Sequence, residues 1–158
     1  MTNLINDLIS VLEEESEIYK LLIAASKGKK AAIIANDLSA IKEATQCEFE
    51  CVGKIRRLEK KRADIMKDMA EVLNEKESNI TISLLADNIK GPESEKLRRT
   101  ASNLKQSLGE LAHINDVNSA LINRALEYID FSVNVARSSM GGAIYALDGS
   151  ACPDTGGL

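Results

Sequence analysis

The sequence predicts an all-α protein: an elongated antiparallel three-helix coiled-coil bundle with a short helical insert and a flexible C-terminal tail. Three observations carry that expectation. Aromatic residues make up only 3% of the chain, with no Trp and two prolines, a composition close to excluding a β-sandwich or a Gly-rich nucleotide-binding α/β fold. Apolar residues recur at alternating three- and four-residue steps through long uninterrupted stretches. Five of the nine glycines fall from Gly141 onward, which leaves the interior short of helix breakers. With 158 residues, 44% apolar and 28% charged, the chain suits one domain, expected at 1–140 with the tail at 141–158.

The first helix is read from Leu4, Leu8, Val11 or Leu12, Ile18 or Tyr19, and Leu22. Thr2 is placed to cap it, and Gly28 among lysines is expected to stop it. Glu13, Glu14, Glu15 and Glu17 read as a solvated face. After a short apolar stretch, Asn36-Asp37 offers the N-cap of a second helix. One register then holds to Leu73 through Leu38, Ile41, Thr45, Glu48, Val52, Ile55, Glu59, Arg62, Met66 and Met69. Glu48, Glu59 and Arg62 fall on that seam, where they can pair with another helix. Polar residues follow Leu73, Thr81 is suited to capping a short helix through Ala86, and Gly91-Pro92 begins the last helix. Its seam reads Leu97, Ala101, Leu104, Leu108, Leu111, Asn115, Asn118, Ile122, Ala125 and Ile129, with an end expected near Met140 at Gly141-Gly142. The two asparagines in this seam either set register or leave it open for a partner.

Several chemistries find too few residues. Glu110 and His113 stand at the spacing of a di-iron bundle motif, but that site needs the pair twice and the chain has one His. Cys47, Cys51 and His113 leave a zinc site one ligand short. Neither a phosphate-binding glycine loop nor a nucleophile elbow is present. No cofactor is expected, and Cys47, Cys51 and Cys152 read as reduced thiols. The net charge of −4 argues against a nucleic-acid binder. The basic cluster Arg56, Arg57, Lys60, Lys61 and Arg62, interrupted by Glu59, reads as a solvated face with pairs one turn apart. No apolar run approaches a bilayer span, and the start lacks a signal-peptide pattern, so a cytoplasmic location is expected.

Leu4 to Leu22 with Glu13–Glu15 and Tyr19 opens a series of short motifs, followed by Ile34-Ala-Asn-Asp37-Leu38, Glu48 and Leu58-Glu59-Lys-Lys-Arg62. Asn115-x-x-Asn118-x-x-Leu121-Ile122 and Tyr145-x-x-x-Gly149 complete it. In order and spacing these motifs resemble the FlgN family of flagellar export chaperones. The resemblance implies a cytoplasmic chaperone that binds the helical C-terminal segment of hook-associated proteins at the hook–filament junction. It implies client contact by the C-terminal part, for which Asn118, Leu121, Ile122, Leu126, Ile129 and Val133 are the candidates, and docking on the cytoplasmic domain of the export gate by Tyr145. Tyr145 also reads as the one aromatic outside a predicted helix. A homodimer is left open, and a coiled-coil adaptor unrelated to secretion is the alternative reading.

Overall fold

The computed structural model describes the backbone of residues 1–147 and side chains as far as residue 138. Among the described residues four α-helices follow one another, α1 (Thr2–Ile34), α2 (Leu38–Leu73), α3 (Ile82–Asn88) and α4 (Pro92–Leu147), with a 3-10 turn at Glu77–Asn79. The chain divides into two units, Met1–Asn118 and Ser119–Leu158.

Local chemistry sets most helix ends. The Asp37 carboxylate accepts from the Ala40 amide at 3.0 Å, and the Thr81 hydroxyl accepts from the Leu84 amide at 3.1 Å; each satisfies an orphan donor of a first turn. Asn36 (φ 55) and Asn74 (φ 53) take the left-handed conformation just past α1 and α2. Behind Asn36 the Asp37 amide reaches the Ala32 carbonyl, and behind Asn74 the Glu75 amide reaches the Ala70 carbonyl, each at 2.9 Å. These are paired C-terminal closures of the Schellman type, and asparagine enters them more readily than other side chains. Gly91 (φ 106) turns the chain before Pro92.

Two expected stops are corrected. α1 runs through Gly28 to Ile34, because a mid-helix glycine costs only about 1 kcal/mol while Ser26 and Ala32 are buried on either side of it. α4 runs through Gly141-Gly142 to Leu147. Residues 148–158 of the expected tail lie outside the described residues.

Within Met1–Asn118 the helices form an up-down-up bundle. Ion pairs Glu15–Arg62 and Lys29–Glu48 set α1 antiparallel to α2, whereas Glu13–Lys96 and Lys27–Glu110 set α1 parallel to α4. α2 and α4 are therefore antiparallel, as their connection requires. α1 buries Leu8, Ile9, Val11 and Leu12 in sequence, too wide an arc for one neighbour. Leu8, Leu12, Met69 and Leu97 are fully enclosed, each contributing about 1.5–3 kcal/mol. Ile80, Leu85 and Ala86 from the connection join the same core. The Ser94 hydroxyl donates to the Ala86 carbonyl at 2.6 Å and Arg98 pairs with Asp87, which ties α3 to the start of α4.

One seam row in each long helix is corrected by a single residue. Ile41, Glu48, Ile55, Arg62 and Met69 face inward as expected, but their companions are Ala44, Cys51, Leu58 and Ile65, while Thr45, Val52 and Glu59 are exposed. In α4, Leu97, Leu104, Leu111 and Asn118 are buried with Thr100 and Ile114; Leu108 and Asn115 are exposed. Both spacings satisfy a heptad, and only the neighbouring helices select between them.

Glu15 corrects the reading of a uniformly solvated acidic face. It is 1% exposed and accepts from the Arg62 guanidinium at 3.1 Å. Burial pushes its carboxyl above the usual range, Arg62 opposes that, and Glu59 adds to it. Burial raises the Tyr19 phenol too, with Glu59 and Glu15 contributing in the same direction.

Candidate functional site

The unit beginning at Ser119 contributes a helical segment of α4 with an apolar row. Ile122, Leu126 and Ile129 repeat at four and three residues, so their side chains share one face, and all three are exposed; Leu121 and Val133 flank the row half-buried. Tyr128 and Phe131 form a second, aromatic edge and are also exposed. Phe131, Asn134, Val135 and Ser138 line a shallow groove there. Arg124, Glu127 and Asp130 supply the polar part of the segment. Such a face buries apolar surface when another helix lies on it, which is the helix-in-groove mode of recognition.

The expected site residues are thus partly brought together. Leu121, Ile122, Leu126, Ile129 and Val133 share the α4 segment. Asn118 stands apart: it is 5% exposed and its amide donates to the Ser26 carbonyl at 2.9 Å, joining α4 to α1. Tyr145 falls on the helical backbone of α4, which corrects its expected place beyond the last helix; its side chain lies outside the described residues. The aromatic edge at Tyr128 and Phe131 was not singled out by sequence reasoning, although a three-residue step between two aromatics was there to be read.

The remaining motifs take structural places. Glu110 pairs with Lys27 at 3.1 Å and His113 is exposed. Among the described residues no cluster of three or more His, Cys, Asp or Glu is arranged to hold a metal ion, and no helix is long and apolar enough to cross a membrane. Cys47 is exposed and Cys51 buried, both as free thiols. Burial pushes the Cys51 thiol up, and neighbouring Cys47 adds to the shift. The basic cluster on α2 is solvated as expected, but Arg62 is the one member that forms an ion pair among the described residues.

A helical bundle bearing a solvent-facing apolar helix row is equipped to hold other helices. The chain belongs to the FlgN family, a family of flagellar export chaperones and not of enzymes: the family model described as FlgN protein matches residues 1–152. No curated protein and no solved structure matches the chain.

Proposed function

We propose that the protein is a cytoplasmic chaperone that takes the helical C-terminal segment of hook-associated proteins onto the α4 face formed by Leu121, Ile122, Leu126, Ile129 and Val133. The observation that carries this reading is the row Ile122, Leu126 and Ile129, apolar at helical spacing and exposed. A client helix laid along it shields its own apolar face before secretion, and release needs no covalent step. Tyr145 then docks the complex on the cytoplasmic domain of the export gate. Asn118, already bonded to Ser26, supports α4 rather than touching the client.

Co-purification with the C-terminal segment of the cognate hook-associated protein tests this, with light scattering for stoichiometry and for any homodimer of the free chain. Ile122→Asp and Ile129→Asp are expected to abolish the complex while leaving helicity and melting temperature unchanged, since both residues are exposed. Tyr145→Ala is expected to leave the complex intact and lower client secretion. A folded sample that captures no cognate segment leaves the coiled-coil adaptor as the better reading.

A further inference from the structure

We infer that the outward face of α2 is a second docking surface, shaped for an acidic amphipathic helix of a partner protein. At about 100° per residue, Leu38, Phe49, Val52, Arg56 and Lys60 fall in one stripe along α2. Leu38 and Phe49 are 77% and 75% exposed, more than any other large apolar side chain of the unit Met1–Asn118. Phe49, Val52, Gly53 and Arg56 line a shallow groove with Thr45 and Glu48. A phenyl ring left in water beside such a groove gains free energy when a partner covers it.

Charge selects the partner. Lys54, Arg56, Arg57, Lys60 and Lys61 crowd two turns of helix, opposed in that stretch only by Glu59, while Lys54 and Arg57 share a groove with Glu14 and Glu17 of α1. None of the five makes an ion pair or a side-chain hydrogen bond among the described residues, a state they share with Lys30, Lys42, Lys67, Lys76, Lys90, Lys105, Arg124 and Arg137 but not with Lys20, Lys27, Lys29, Arg62, Lys96, Arg98 and Arg99, which pair with carboxylates. What sets the five apart is their crowding into one stretch. Glu48, the acid nearest the groove, is committed to Lys29. Five unmatched cations in a chain of net charge −4 attract carboxylates and disfavour a basic partner. Their arrangement separates a helix from other polyanions. Apart from Lys42 between Leu38 and Phe49, the apolar part of the stripe lies toward Leu38 and its basic part toward Lys60, so the two are segregated along the helix axis. A membrane-lying helix instead needs an apolar stripe along its length with cations beside it, and a phosphate backbone needs an unbroken basic row with no use for Leu38.

Gly53 supplies an independent observation. It stands in the middle of α2, where glycine is the least favourable residue after proline, and a Cβ built there meets nothing within 4 Å. Packing within the protein gives no reason for it, and the missing side chain leaves room for a second backbone on this face. Gly28 and Gly109 have equally open surroundings, but neither has a phenyl ring one turn away, so they serve as controls. The α4 face is not involved: a protein that failed to hold hook-associated clients would still carry this surface.

The test is fluorescence anisotropy of the full chain with a labelled synthetic helix carrying leucines at one end of a face and glutamates at the other. A copy with lysine for glutamate, phosphatidylserine vesicles and single-stranded DNA are the competing probes. The acidic helix is expected to bind about tenfold or more tightly than the lysine copy, with affinity falling as salt rises. Phe49→Ser and Arg56→Glu, both at exposed positions, are expected to weaken it about tenfold. Gly53→Ala is expected to raise the melting temperature yet weaken binding at least severalfold, whereas Gly28→Ala raises the melting temperature alone. Equal affinity for the lysine copy, preference for vesicles or DNA, Phe49-dependent self-association, or unchanged binding by Gly53→Ala and Phe49→Ser would each overturn the proposal.

Discussion

Replacing Arg62 by Met removes the charge that faces Glu15 while keeping most of the side-chain stem. Glu15 is 1% exposed and its second oxygen, Oε1, has no hydrogen-bond partner, so the guanidinium at 3.1 Å is its principal compensation. Breaking a fully buried pair from one side costs about 3–5 kcal/mol. The Arg62 side chain is 32% exposed, so water already weakens the attraction and about 2–3 kcal/mol is the better expectation at neutral pH. For a chain of this length that lowers the melting temperature by about 5–10 °C. The pH dependence has a definite sign. Burial holds the folded carboxyl above its unfolded value, and losing Arg62 raises it further. The folded state then takes its proton at a higher pH than the unfolded chain, so the variant regains stability as pH falls from 7 toward the unfolded carboxyl value of about 4.3. Thermal melts followed by circular dichroism at neutral and mildly acidic pH measure both quantities. Glu15→Leu combined with Arg62→Met leaves no buried charge and should melt within a few degrees of the parent protein or above it. An Arg62→Met melt unchanged at neutral pH, or a double variant as unstable as the single one, would refute the account of Glu15 as a buried charge held by Arg62.

Other outcomes follow from the same structure. Asn118→Ala loses the hydrogen bond to Ser26 and should cost about 1–2 kcal/mol in urea titrations, whereas Asn115→Ala, at an exposed position, should stay within about 0.5 kcal/mol. Asp37→Ala and Thr81→Ala each remove an N-cap and should cost about 1 kcal/mol, readable as paired shifts in the urea midpoint. A thiol reagent should modify exposed Cys47 at once and Cys51 only slowly, because burial both shields Cys51 and keeps it protonated; mass spectrometry of the partly labelled chain distinguishes the two.

Helix beginnings were legible at α2, α3 and α4 but not at α1, where Thr2, expected as the cap, is the first helical residue and no side chain caps the N-terminus. Asp37, Thr81 and Pro92 act on amides or backbone angles within one turn of themselves, so their roles need no distant residue. Asn36 and Asn74 close helices by equally local means. Gly28 and Gly141-Gly142 misled for the opposite reason: a local penalty of about 1 kcal/mol per glycine does not end a helix by itself. At Gly28 the burial of Ser26 and Ala32 on either side of it outweighs that penalty. The family likeness was equally readable, because it rests on the order of short motifs along the chain.

What the sequence determined by itself is therefore local and periodic: the helices, the N-caps of α2 and α3, and a heptad repeat whose positions Ile122, Ala125 and Ile129 read as seam but are exposed. What only the tertiary structure decided is which of two equally spaced rows turns inward. Ala44, Cys51 and Leu58 prevail over Thr45, Val52 and Glu59 because α2 rotates to fit its neighbours, and that rotation also exposes Val52 beside the already outward Phe49. Glu15 became a buried charge through Arg62, 47 residues away, and Asn118 rather than Asn115 became the buried amide through Ser26, 92 residues away. A helix knows its own period; its rotation about its axis is set by the surfaces packed against it.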